Sequence, residues 1–462
     1  MSIELPSAFI DTVALLPNLD IEAFVHAHSH AVPVSIRVNP AKKIETQTHF
    51  DLLNPSSVPW AENGYYLEER PSFTLDPLFH AGCYYVQEAG SMFLAQAIKK
   101  IKEQSDILRV LDLCAAPGGK STHLQALLSP DSLIVSNEVI KPRQNILMEN
   151  WLKWGAKNAI VTGNDARDFQ RLPDWFDLIV VDAPCSGSGM FRKDKDSIAH
   201  WSPAHVEHCA QRQERILQDV LPALKPGGYL VYSTCSYSEL ENEDVLDHLL
   251  SHFSMESIQI PVHKDWGITE TQSKQKGGFG YRCYPHKSRG EGFFLTLLRK
   301  KQGYDQGVDY PHFKSNGKMG TSSPKSIQNQ WEEWIQIKEG ETLMEWKGQM
   351  LVMNQTMEKH ISEIQQNLYI RSAGVFVGSA GNKGFIPEHG LAMSGNLPAS
   401  FPRFELERED ALQLLRHQSI GADFKEKGWL LMTHKTHALS LVKSLPNRIN
   451  NYYPREWRIL NK

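Results

Sequence analysis

From residue 107 to 299 the chain alternates short apolar, β-branched runs with longer segments whose apolar positions recur every three or four residues. The short runs predict strands over "ILRVLDLC" (107–114), "SLIVSNE" (132–138), "NAIVTGND" (158–165), "FDLIVVDAP" (176–184) and "GGYLVYSTCS" (227–236). Nearly every residue from Leu178 to Val181 is apolar, as in a strand buried on both faces. Helices are predicted within "GGKSTHLQALLS", over "KPRQNILMENWLKWG", within 204–224, and from Ser238, where Ser238 and Glu241 match a capping box. Such alternation builds a mostly parallel sheet covered by helices on both faces. A final pair, "GYRCYP" and "EGFFLTLLRK", flanks a turn-rich "HKSRG" and predicts a hairpin at the sheet's edge.

Outside this stretch the pattern changes. Residues 1–100 are mixed, with a strand expected at 33–38 and a helix at 89–103. Residues 302–329 are polar, carry Gly, Ser and Pro, and lack apolar periodicity, as a linker does. Beyond them Trp331, Trp334, Trp346, Trp429 and Trp457 supply aromatic volume for a small separate core, divided as an accessory module over 330–385 and a last module over 386–462. The unit expected at 101–301 then holds the parallel sheet.

Composition narrows the class. A chain of 462 residues, 41% hydrophobic, is large enough for several cores, and a net charge of −4 excludes a wholesale basic polyanion binder. Any nucleic-acid contact rests on local patches: Lys287, Arg289, Arg299, Lys300 and Lys301 against Glu291, and Lys443, Arg448, Arg455, Arg458 and Lys462 against Glu456. Solvated surface charge is the plainer reading of either patch alone. No run approaches the roughly 18 apolar residues of a membrane span, and the amino-terminal stretch is not built like a signal peptide. A cytoplasmic monomer without membrane contact is expected. The six cysteines form no C-x-x-C pair, so no metal site and no disulfide framework is expected.

The stretch "LDLCAAPGGKSTHL" (111–124) carries the first chemistry. Its "GGKST" invites a P-loop reading, but counting back from Gly119 to the first P-loop glycine lands on Cys114. The loop Cys114, Ala115, Ala116, Pro117, Gly118, Gly119, Lys120 follows the first strand, where open parallel sheets bind ligands. Glu138 ends the second strand, roughly 20 residues on, where a carboxylate accepts both hydroxyl protons of a ribose. With no G-x-G-x-x-G for a pyrophosphate, S-adenosylmethionine fits: its ribose meets Glu138, its adenine edge a polar residue such as Asp165, and its amino-acid end the loop.

Two further turns, "DAPCSGSGMFRKD" (182–194) and "STCSYS" (233–238), place Cys185 and Cys235 after buried strands at the same rim. Ser- and Gly-rich turns expose a thiol and supply N–H donors that favour a thiolate. Cys83, Cys209 and Cys283 read instead as small buried hydrophobes. A methyl donor beside a thiolate suits carbon 5 of a pyrimidine: addition at carbon 6 makes carbon 5 nucleophilic, and the adduct collapses once the carbon-5 proton leaves. Asp182 can hold the cytosine's N3 and amino edge. Cys185 stands where amino-group methyltransferases carry an aromatic residue, which disfavours that reaction.

Together with "NEVIKPR", "NDARDF", "LVYSTCSYSELENE", "SIRVNP" (35–40) and "YYVQEAGSM" (84–92), these motifs resemble the Sun/Fmu-type RNA cytosine-C5 methyltransferases over residues 30 to 300. The resemblance implies a Rossmann-like class I methyltransferase sheet in an α/β chain, preceded by an amino-terminal α+β RNA-binding extension. It implies S-adenosylmethionine held by positions matching Cys114 to Lys120, Glu138, Asp165 and Asp182, with Cys235 as nucleophile and Cys185 assisting release. The tail "HALSLVKSLPNRINNYYPREWRIL" looks like the PUA-type RNA-binding extension of a ribosomal RNA member of that family. The partner so implied is 16S ribosomal RNA, within the small ribosomal subunit. Lys193 is a phosphate contact by chemistry only. Transfer RNA as substrate, and a non-catalytic RNA-binding assembly factor on the same scaffold, are the competing readings.

Overall fold

The computed structural model describes residues 4–17, 19–50, 53–302, 331–381, 384–420, 427–446 and 448–460; all of the stretch expected as a linker except Gln302 lies outside them. At the centre is a ten-stranded sheet. Its strands are β1 (Arg109–Asp112), β2 (Leu133–Asn137), β3 (Ala159–Thr162), β4 (Phe176–Asp182), β5 (Leu224–Thr234), β6 (Met255–Ser257), β7 (Ile268–Gln272), β8 (Phe279–Cys283), β9 (Phe293–Lys300) and β10 (Ile370–Ala373). They lie in the order β7-β8-β9-β5-β4-β1-β2-β3-β10, with β6 also paired to β9. Strands β1 to β5 are mutually parallel, β9 runs antiparallel to β5, and the order reverses at β1, between β2 and β4.

Alternation along these strands decides the two faces. Leu111, Val135, Ile160, Ile179 and Leu230 enter one core, while Val110, Ile134, Val161, Leu178 and Val231 enter the other. Each such side chain contributes about 1.5–3 kcal/mol on burial, so both faces must be covered. The covering helices α1 (Gly119–Leu127), α2 (Lys141–Trp154), α3 (Pro203–Val220) and α4 (Glu243–His252) follow from the connections between strands.

Four expectations change. Helix α4 begins at Glu243 with Asn242 at its N-cap, not at Ser238, because the Glu241 carboxylate is hydrogen-bonded to the turns that follow β4 and β5. The hairpin of β8 and β9 pairs as expected but lies inside the edge, because β7 adds a further antiparallel strand beyond it. The first basic patch is divided: β9 carries Phe294 opposite Thr234 and Arg299 opposite Tyr229, so Arg299 and Lys300 lie at the far end from the turn after β5. There Lys300 pairs with Asp174 at 3.0 Å, and Arg299 donates to the Gly227 carbonyl.

The five tryptophans do not share one separate core. Trp331, Trp334 and Trp429 pack together with Phe385 and Phe401, Trp346 joins the central sheet's core with Leu351 and Met353, and Trp457 packs with Tyr453. From the same stretch β10 pairs antiparallel with β3. The two ends of the chain also meet: Val34, Ile36 and Tyr84 share a core with Leu414, Leu430 and Met432. The strand expected at 33–38 is Val34–Val38, in a four-stranded amino-terminal sheet, and the helix expected at 89–103 is a 3-10 turn running into Leu94–Lys102.

Candidate active site and its family

Strand β1 delivers the glycine loop to the point where strand order reverses. Gly118 is the N-cap of α1 at φ +114°, and a Cβ there would stand 3.2 Å from Leu147 Cδ1. The left-handed φ is what calls for glycine, and the Leu147 methyl would also have to give by a few tenths of an ångström. Ala115 and Ala116 are buried, and α2 anchors the loop's carbonyls: Arg143 donates to Ala116 at 2.6 Å and Asn150 to Pro117 at 2.8 Å. Beneath the loop, buried Asp112 accepts a 2.6 Å hydrogen bond from Ser121, while its Oδ1 has no partner. Burial first, offset in part by the Ser121 hydroxyl, pushes its carboxyl up to about 7.

A crevice opens above the loop, lined by Cys114, Glu138, Arg143, Asn164, Asp165 and Arg212 among others. Glu138 is 3% exposed, accepts from the Ile140 N–H at 2.9 Å and faces Arg143 at 3.3 Å. The Asp165 side chain, more exposed, caps the turn at Ala166–Arg171. A residue not singled out in the sequence supports the loop from the amino-terminal sheet. Arg37 of "SIRVNP" is 1% exposed; it donates to Gln87 at 2.8 Å, Thr122 Oγ1 at 2.6 Å and the Gly119 carbonyl at 3.3 Å, with Trp154 stacked on it. Burial without a carboxylate partner lowers its guanidinium to about 9. The sequence signal was a charged residue between Ile36 and Val38 in a short strand that is buried throughout.

The turns after β4 and β5 bring Cys185 Sγ and Cys235 Sγ to 3.2 Å, both half-buried, whereas Cys83, Cys209 and Cys283 are buried. Asp182, at the end of β4, accepts from Ser233 Oγ at 2.8 Å and pairs with Lys120 Nζ at 2.8 Å. Burial disfavours the Lys120 charge, but the charge of Asp182 and its hydrogen bond, with smaller help from Asp112 and Cys235, hold the ammonium above its ordinary range. For Cys185 the sign is also upward: its hydrogen bond to Cys235 comes first, then burial, then the negative charges of Cys235 and Glu241. The loop, Glu138, Asp165, Asp182 and both thiols thus gather around the same strand ends. Lys193 is exposed just past the Cys185 turn.

Residues 98–299 match the family described as 16S rRNA methyltransferase RsmB/F. Over almost its whole length the chain is also similar to the ribosomal RNA small subunit methyltransferase F of Vibrio campbellii, 30% identical across 98% of each. The chain belongs to the RsmB/F family of 16S rRNA methyltransferases. Within that family, residues 5–89 match the N-terminal domain of 16S rRNA methyltransferase RsmF, and residues 401–459 the methyltransferase RsmF PUA domain. The methyltransferase F of Shewanella loihica is likewise 30% identical, over 98% of this chain and 95% of its own. A solved methyltransferase homolog from Pyrococcus horikoshii, 31% identical with a TM-score of 0.54, covers 64% of this chain and 96% of its own. The family accounts for the Rossmann-like sheet, the amino-terminal sheet and the carboxyl-terminal module. Among the described residues no helix is long and apolar enough to cross a membrane, and no group of three or more His, Cys, Asp or Glu is placed to hold a metal.

Proposed function

We propose that the protein methylates carbon 5 of a cytosine in 16S ribosomal RNA, using S-adenosylmethionine and a transient bond between Cys235 and the base. The observation that carries this reading is the pair of sulfurs 3.2 Å apart with unlike surroundings. Cys235 acts on the charge of Lys120, while Glu241 places negative charge by Cys185. On these surroundings Cys235, beside Lys120, is the thiol taken as nucleophile, and Cys185, whose proton is held more tightly, acts in the later step.

The crevice residues fit the donor. Glu138 offers a carboxylate for the ribose, Asp165 a polar edge for the adenine, and the loop from Cys114 to Lys120 its backbone for the amino-acid end. Bound there, S-adenosylmethionine supplies a methyl group on a cationic sulfur. Cys235 adds to carbon 6 of a base turned out of its stack, and the electron pair moves toward carbon 5. Asp182, steadied by Lys120, meets the N3 and amino edge, where charge develops. Once the Cys235 sulfur is bonded to carbon, its hydrogen bond and its charge, the first and third of the influences that raise the Cys185 thiol, are gone, and that proton is held less tightly. Cys185 can then lose that proton to solvent and take the one on carbon 5, the double bond re-forms, and Cys235 leaves as thiolate.

Bisulfite sequencing of ribosomal and transfer RNA, from cells with and without the protein, tests the substrate. One 16S position should lose its 5-methylcytosine, and a change confined to transfer RNA would overturn the assignment. In purified protein, Cys235→Ala is expected to abolish methyl transfer, and Cys185→Ala to leave a protein–RNA adduct that survives denaturation. Normal turnover by both variants would exclude the covalent route and revive a non-catalytic reading.

A further inference from the structure

The two thiols belong to separate turns, yet one buried carboxylate joins those turns. Glu241 is 0% exposed. Its Oε1 accepts from the Ser186 N–H at 2.7 Å and from Gln213 Nε2 at 3.2 Å; its Oε2 accepts from Ser186 Oγ at 2.6 Å and from Ser236 Oγ. Ser186 directly follows Cys185, and Ser236 directly follows Cys235. The Glu241 carbonyl in turn accepts from Tyr232 Oη at 2.6 Å, which ties the bridge to β5. A role in starting α4 does not explain this arrangement, because Asn242 is the N-cap there, and its side chain separately engages Thr234 and the Ser236 carbonyl. A buried carboxylate is costly unless its oxygens are fully hydrogen-bonded. These four donors meet that demand only while both turns stay where they are.

Resting on the reading above, we infer that Glu241 is a positioning residue that fixes the Cys185–Cys235 separation, and that it serves release of the methylated RNA rather than formation of the adduct. Adduct formation needs Cys235, its Lys120 surroundings and the base. Release needs a second thiol within reach of the carbon-5 proton, and a reacting group displaced by about 1 Å can lose on the order of a hundredfold in rate. Loosening the bridge therefore acts on the second half of the reaction.

The test uses the full-length protein with a 16S RNA fragment, following single-turnover methyl transfer, product release and denaturation-resistant adduct. Glu241→Ala is expected to form adduct and transfer one methyl, then to release product on the order of a hundredfold more slowly, with the Kd for RNA unchanged and kcat and KM falling together. Glu241→Gln keeps an acceptor oxygen for the Ser186 and Gln213 N–H groups and is expected to restore most of the release rate. The double variant Ser186→Ala/Ser236→Ala, which removes only hydroxyls, is expected to accumulate adduct as well and keeps the inference testable if alanine at 241 unfolds the chain. Wild-type release by Glu241→Ala or by the double variant overturns the inference alone. So does equal loss of adduct and release in a variant that melts at the wild-type temperature. Wild-type protein that forms no 5-methylcytosine overturns the underlying reading and the inference together.

Discussion

Single residues here are specified by conformation and charge more than by size. Gly118 shows the first. At φ +114° an L side chain is strained by about 1–3 kcal/mol, and its Cβ would press on Leu147. Gly118→Ala should therefore lower the melting temperature and weaken S-adenosylmethionine binding together, as calorimetry on the same samples would check. The need for a permissive backbone was legible in "APGGK". Charge was less so. Cys185 and Cys235 could be picked from six cysteines by their Ser- and Gly-rich turns, yet spacing could not rank them. What distinguishes them is charge brought from afar: Cys235 acts on the ammonium of Lys120, from the first strand's loop, while Glu241, from beyond the fifth strand, is among the groups that raise the Cys185 thiol. Sequence distance hides both neighbours.

Elements were readable where periodicity was strong. Strands β1 to β5 and helices α1 to α3 lie where apolar alternation and helical spacing put them, because each buries its own face. Helix α4 started late for a tertiary reason: a glutamate that suits a capping box forms a better set of hydrogen bonds between two turns. The same crossing explains another constraint. The Cys185 turn meets the start of β9 so closely that a Cβ on Gly189 would fall 2.4 Å from the Gly292 carbonyl and 2.7 Å from that of Cys235. Gly189→Ala must push these segments apart and, through the Cys235 carbonyl, displace the nucleophile's own backbone and not only its spacing from Cys185. It should lose methyl transfer on the order of a hundredfold while S-adenosylmethionine affinity, measured by titration calorimetry, stays near that of wild type.

Across the whole molecule, the amino-terminal sheet, α2 and the last module meet around buried histidines. His80 Nδ1 lies 3.1 Å from Tyr453 Oη, and His389, with neither ring nitrogen hydrogen-bonded, sits against Tyr453 and Trp457. Burial first, then the charge of Lys153, lowers His80 to about 4 and His389 to about 3. Both are depressed below the unfolded value near 6.5, so the unfolded chain takes up protons first as pH falls. Stability is then full above about pH 6.5 and declines toward pH 4, by about 2 kcal/mol per histidine between pH 6.5 and 5. Melting curves at pH 7 and 5 should show this loss, and His389→Phe should reduce it. A melting temperature unchanged between those pH values would exclude the coupling.

The sequence by itself determined the parallel sheet, the loop that follows its first strand, and the residue types gathered at the strand ends. Those depend on local periodicity and on backbone preferences that each segment carries alone. Only the tertiary structure decided that the chain's two ends share a core, that a strand from beyond residue 330 extends the catalytic sheet, and that one carboxylate ties the thiol turns together. These features arise from burial and charge between residues up to hundreds of positions apart, and no local pattern encodes which distant partner a side chain will meet.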